Sequence, residues 1–114
     1  MTTIYKLCPA ELWRVAVDDG VFRGSAVDLR DGFIHFSTAD QVKETAARYF
    51  AGAAGLVLVA FDDASLGAEL RYEPSRDGAL FPHLHAPLDP KAALWVEPLP
   101  IGPDGVHAFP DLPP

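Results

Sequence analysis

The stretch "GLVLVAF" at 55–61 constrains the architecture most, because it is apolar from Leu56 to Phe61 with no polar alternation. A strand with one wet face alternates apolar and polar residues, whereas a strand covered on both faces does not. The segment is therefore predicted as the central strand of a sheet with layers packed on both sides. It is too short to span a bilayer, and "MTTIYKL" lacks the basic segment and long apolar stretch of a signal peptide. Cytoplasmic residence is the expectation.

The other elements are read around that strand. "TIYKL" at 3–7 has the composition of a strand, and Pro9 suits the first turn of a helix through "AELWRVAVDDG", ending near Gly20. Leu12, Val15 and Ala16 would form its apolar stripe, with Trp13 and Val17 beside it. "VFRGSAVDLRDG" reads as a loop with short extended pieces leading into the strand "FIHFS". Ser37 or Thr38 then caps a helix, with Gln41 placed as in a capping box and Val42, Ala46 and Tyr49 at helical spacing. Glu44 and Arg48 make an i,i+4 pair on its outer side. Ten of the eleven prolines lie from residue 74 onward. "FPHLHAPL" and "AALWVEPL" are therefore predicted as strands at sheet edges, where a missing N–H costs least.

Two principal helices, at roughly 9–19 and 38–51, and a larger number of strands without regular alternation predict an α+β fold with a mostly antiparallel sheet. A chain of 114 residues, 49% hydrophobic and 22% charged, is expected to form one domain over 1–114 with a real core. The net charge is −7, and residues 58–114 carry three Lys or Arg against nine Asp or Glu. Long-range repulsion of polyanions disfavours broad nucleic-acid or anionic-membrane binding but allows a small ligand held by a few cations.

Three polar groupings fall on predicted strand faces. In "DGFIHFSTADQ", Phe33, His35 and Ser37 share one side while Ile34 and Phe36 take the other. In "ELRYE", Glu69, Arg71 and Glu73 share a face, which is also how an antiparallel strand meets water. In "FPHLHAPL", His83 and His85 point the same way. An H-x-H pair joined by His35 would permit an open three-histidine metal site. The other reading places His35 and His83 in one cleft as hydrogen-bonding or proton-transfer groups, a role suited to a side chain that titrates near neutrality. Ser37, at a predicted helix start, would then help hold an anionic ligand group. No G-x-G-x-x-G, Walker loop, G-x-S-x-G or C-x-x-C motif is present, and the lone Cys8 reads as a small buried residue or a helix cap rather than a nucleophile.

The blocks "YKL", "W", "GS", "DGFIHFSTADQ", "LRYE" and "FPHLHAPL", in this order, resemble an uncharacterised, mostly bacterial family known as a domain of unknown function (number 952). The likeness covers nearly the whole chain. It implies a fold like the catalytic domain of ADP-ribosyltransferases, a split, mostly antiparallel sheet with a cleft that in true transferases holds NAD. By that likeness "GFIHFSTADQVKETAARYF" corresponds to a strand running into a serine and then a helix, and His35 stands where a nicotinamide-stacking tyrosine is typical. "TIYKL" corresponds to the first strand, with Tyr5 and Lys6 where a histidine or arginine usually meets the ribose. Glu73 and Glu97 are the candidates for the late-strand glutamate that steadies an oxocarbenium ion. The implied activity is cleavage or transfer at the ribose of NAD or a related nucleotide. His35, His83 and Glu73 would do the chemistry, with Lys6, Ser37, Arg71 and His85 holding the ligand. The competing expectations are a non-catalytic module for a small ligand or protein partner, and a histidine-site metal-dependent hydrolase.

Overall fold

The computed structural model describes residues 2–114. It is α+β, with every strand pairing antiparallel. In chain order the elements are β1 (Thr3–Pro9), α1 (Ala10–Asp19), α2 (Ala26–Asp31), β2 (Ile34–His35), β3 (Ser37–Thr38), α3 (Val42–Tyr49), β4 (Leu56–Asp62), β5 (Leu70–Pro74), β6 (Leu80–Leu84) and β7 (Ala93–Leu99). The strands form two sheets, one ordered β3-β1-β4-β7 and the other β2-β6-β5. No helix among the described residues is long and apolar enough to cross a membrane.

As the apolar run predicts, β4 lies inside its sheet, paired with β1 on one side and β7 on the other. Its side chains alternate between two cores. Val59 and Phe61 join Ile4, Trp13, Phe36 and Leu84 on the face toward α1 and the second sheet. Leu56, Leu58 and Ala60 join Tyr5, Leu7 and, from α3, Val42 and Ala46 on the other. By the same alternation Lys6, between Ile4 and Cys8, enters the first core. A buried cation there needs a partner, and the functional site begins with it.

α1 ends, as expected, at Gly20, which adopts φ 79. Its buried line is Trp13 and Ala16, while Val15 and Val17 face outward, so the stripe is rotated toward the indole. α3 starts four residues later than predicted. Gln41 Oε1 does accept from the Thr38 N–H at 3.0 Å, as a capping-box side chain would. Residues 39–41, however, form a turn before the helix begins at Val42. Ser37 is consequently a strand residue and not a helix cap, and the anion site expected at a helix start there does not form.

Two further corrections bear on the site. The segment read as a loop contains α2, opened by a capping box in which the Ser25 side chain meets the backbone at Asp28 and the Asp28 carboxylate accepts the Ser25 N–H at 2.9 Å. And β6, predicted at an edge because of Pro82, is the middle strand of its sheet. The reason lies in its neighbour. The Phe36 N–H donates to the Pro82 carbonyl at 3.0 Å, but proline has no N–H to return, so only half of that ladder pair forms. At Phe36 the chain leaves β6 and continues as β3 against β1. The proline thus sits where the strand changes sheets, while β7, carrying Pro98, is at an edge as predicted.

Candidate functional site

The strand that changes sheets carries His35 and Ser37 on either side of the crossover, and a cleft of about 650 Å³ opens over it. α2 and α3 contribute to its walls, together with β1 and the turn after β5. Lys6, His35, Ser37 and His83 all line it, along with Asp31 and Arg76. His35 and His83 face one another across the β2–β6 pair with ring centroids 5.4 Å apart. These two histidines, distant in the sequence, line the same cleft.

The base of the site is a buried ion pair. Lys6 Nζ lies 2.7 Å from Asp28 Oδ2, with both side chains at 4% exposure or less. Lys6 also donates to the His35 carbonyl at 2.9 Å. Asp28 is the hub: beyond Lys6 and the Ser25 N–H, its Oδ1 accepts from the His35 N–H at 3.1 Å and from His35 Nδ1 at 2.6 Å. Burial alone would raise the Asp28 carboxyl, but the hydrogen bond from His35, the charge and hydrogen bond of Lys6 and the Ser25 N–H hold it well below its ordinary value. Burial draws the Lys6 ammonium below its ordinary value, against the pull of Asp28. No buried side-chain polar atom among the described residues lacks a partner.

On its outer side His35 Nε2 lies 2.9 Å from Asp31 Oδ2, at the C-terminal end of α2. The Asp31 side chain is 30% exposed, whereas that of Asp28 is 1% exposed. The imidazole is thus fixed at Nδ1 by a buried carboxylate and covered at Nε2 by one that borders solvent. An imidazole oriented in this way can serve in proton transfer.

The remaining candidates cluster behind it. Glu73 Oε1 accepts from His83 Nδ1 at 2.9 Å and from His85 Nε2 at 2.7 Å, and these bonds hold its carboxyl below the ordinary range. Burial draws His83 below its ordinary value, and the neighbouring His35 and His85 charges add to this while Glu73 resists. The Phe33 ring sits among the three imidazoles, with centroids 4.6 Å from His35, 4.2 Å from His83 and 5.1 Å from His85. The space a metal would need is therefore filled by an aromatic ring. No group of three or more His, Cys, Asp or Glu among the described residues is arranged to hold a metal ion.

Glu73, His85 and Arg71 do not line the cleft. Arg71 pairs with His83 across β5–β6 but is exposed. Glu69 is exposed too, and Glu97 lies exposed on β7 in the other sheet. Tyr5 reaches the cleft wall, and its hydroxyl donates to the Pro113 carbonyl. Cys8 is fully buried, and burial pushes its thiol up to about 11, as befits an inert core residue.

Asp28, Asp31 and Arg76 escaped the reading of the sequence. For Asp28 a signal existed, since Ser25-Ala-Val-Asp28 has capping-box spacing. Asp31 and Arg76 follow only from tertiary packing.

Comparison with known proteins agrees with this architecture. The protein CC0527 of Caulobacter crescentus, known from a crystal structure, is 47% identical to this chain over 94% of each, with a TM-score of 0.90. Its solution NMR structure, at 48% identity, covers 93% of this chain and 91% of that one with a TM-score of 0.84. No curated protein matches the chain. Residues 7–96 match the family described as Protein of unknown function (DUF952), and the chain belongs to that family.

Proposed function

We propose that the cleft is the active site of an ADP-ribosyltransferase-like enzyme that cleaves or transfers at the ribose of NAD or a related nucleotide. The observation that carries this reading is His35, held at Nδ1 by the buried Asp28–Lys6 pair and directed by Nε2 toward a cleft of about 650 Å³. That volume lies within the range of small-molecule sites. The split antiparallel sheet supports the same reading, since the cleft lies where the strand changes sheets.

In this scheme the bond between the ribose anomeric carbon and nicotinamide breaks, and the base leaves with the electron pair. A carboxylate offsets the positive charge that develops on the ribosyl group. Asp31 suits this role better than Glu73 or Glu97, because it borders the cleft and they do not, although it must give up its contacts with Arg30 and His35 to act. As Asp31 turns toward the ribose, the Nε2 proton that faced it passes to solvent while Nδ1 keeps its proton on Asp28, and the bare Nε2 then takes the proton of the attacking water or acceptor hydroxyl. His83 completes the wall beside it. Lys6 acts from beneath, fixing Asp28 and the His35 backbone rather than meeting ligand phosphate directly.

Single-turnover incubation with NAD tests this proposal. Nicotinamide should be released, and His35→Ala should slow release by about 100-fold or more, the usual contribution of a positioned acid or base. Saturable binding without turnover would replace the enzyme with a non-catalytic ligand-binding module.

A further inference from the structure

Arg76 is the cation of this cleft whose surroundings its fold does not explain. Its side chain is 9% exposed, and its guanidinium lies over the Phe81 ring at 4.8 Å. Yet its polar contacts are long: Nη1 is 3.3 Å from Thr45 Oγ1, and Nη2 is 3.5 Å from Glu44 Oε2. Charge-assisted hydrogen bonds from a committed guanidinium run about 2.7–2.9 Å. Lys6, elsewhere in the cleft wall, meets that standard with Asp28, and Arg76 does not. A planar group with five N–H donors is thus stacked in place at the cleft wall with no short acceptor.

Its nearest neighbours form a chain of hydroxyls. Thr45 Oγ1 lies 3.0 Å from Ser37 Oγ and donates to the Gln41 carbonyl at 3.1 Å. Thr45 therefore offers Arg76 only an oxygen lone pair, while the Ser37 hydroxyl remains able to turn to another acceptor. Ser37 and Ser75, the residue before Arg76, line the same cleft. Glu44, the carboxylate that Arg76 meets, is 57% exposed and also pairs with the half-exposed Arg48 at 3.2 Å, so that it can turn from Arg76 at little cost.

We infer that Arg76, with the Ser37 hydroxyl, forms a subsite for the phosphate group of the cleft's ligand, taking the place now held by Thr45 Oγ1 and Glu44. The inference rests on reading the cleft as a ligand site, and it names the charged group of that ligand. Ser37 and His35 are two residues apart along extended chain, about 7 Å. A sugar phosphate anchored at Arg76 would thus bring its ring to His35. In a chain of net charge −7, a dianion needs such a local cation to be held at all.

The test follows arginine side-chain N–H signals by NMR during titration with inorganic phosphate at constant ionic strength. The Arg76 signal should shift saturably, and phosphate binding should vanish in Arg76→Gln. Arg14→Gln removes the same charge from an exposed helix face and should bind as the wild type does. Glu44→Gln should bind phosphate more tightly, and it decides the matter if Arg76→Gln fails to fold. AMP should bind about tenfold to a hundredfold more tightly than adenosine, the worth of a hydrogen-bonded charged contact, with the preference lost in Arg76→Gln.

No saturable shift at Arg76, equal phosphate binding in Arg76→Gln, unchanged affinity in Glu44→Gln, or tighter binding of acetate than phosphate would each overturn the subsite. The two readings fail separately. Phosphate binding without nicotinamide release removes the enzyme and keeps the subsite, whereas release that survives Arg76→Gln with unchanged affinity does the reverse.

Discussion

Asp28→Asn is expected to destabilise the protein by about 3–5 kcal/mol at neutral pH, because it leaves the Lys6 ammonium buried without its counter-charge. Against the total stability of about 5–15 kcal/mol usual for a folded domain, that is a large fraction. Lys6→Met should cost less, about 1–3 kcal/mol, because Asp28 keeps the Ser25 N–H and both His35 donors. The double variant should cost less than the sum of the two by about 1–3 kcal/mol, since each single change already forfeits the shared interaction. Urea denaturation of the four proteins measures this. Additive losses below about 1 kcal/mol each would mean that the pair is solvated and does not form the base of the site.

The pH dependence carries the same signature. The Asp28 carboxyl is held below its ordinary value in the folded protein, so the native state binds fewer protons there than the unfolded chain. Its stabilisation is fully present above the unfolded value, near pH 4, and is lost as pH falls below that. His83, lowered by burial, acts in the same sense from about pH 6.5 downward. Stability should therefore decline in two stages on acidification, and Asp28→Asn should flatten only the more acidic one.

The second large effect is expected at Gly24. This residue adopts φ +130, and a Cβ placed on it would lie 2.7 Å from the Cβ of Asp28. That neighbour is the root of the side chain at the centre of the site, so it has little freedom to yield. Gly24→Ala combines backbone strain with overpacking and should cost about 2–5 kcal/mol. Gly20→Ala is the control, because Gly20 also has positive φ but meets nothing within 4 Å. It should cost only about 1–2 kcal/mol. Equal losses at the two positions would show that backbone conformation alone, and not contact with Asp28, decides the cost.

The parts of this fold legible in the sequence were those with strong local or alternating patterns. The unbroken apolar run announced β4, and the in-and-out alternation of "FIHFS" correctly separated buried Ile34 and Phe36 from His35. The alternation in "FIHF" and "FPHLH" puts His35 and His83 on polar strand faces, and both line the cleft, whereas His85 does not. α2 was hidden because six residues are too few to show helical periodicity, and its Val27 and Leu29 are exposed rather than packed. Pro82 misled because the rule against proline in a central strand assumes a continuous neighbour, and here the neighbour leaves at Phe36. Asp28 looked like one surface acid among sixteen Asp and Glu. Only the alternation of β1, which sends Lys6 inward, creates the need for a buried carboxylate, and the capping-box spacing at Ser25 marks Asp28 as a cap without saying that it answers Lys6.

The most direct test of the central claim is a backbone amide NMR titration with ADP-ribose. If the cleft is a ribosyl site, saturable shifts should centre on His35, Ser37, Thr45, Arg76 and His83. They should leave unaffected the smaller groove between α3 and His107. An absence of saturable shifts, or shifts confined to that groove, would contradict the account.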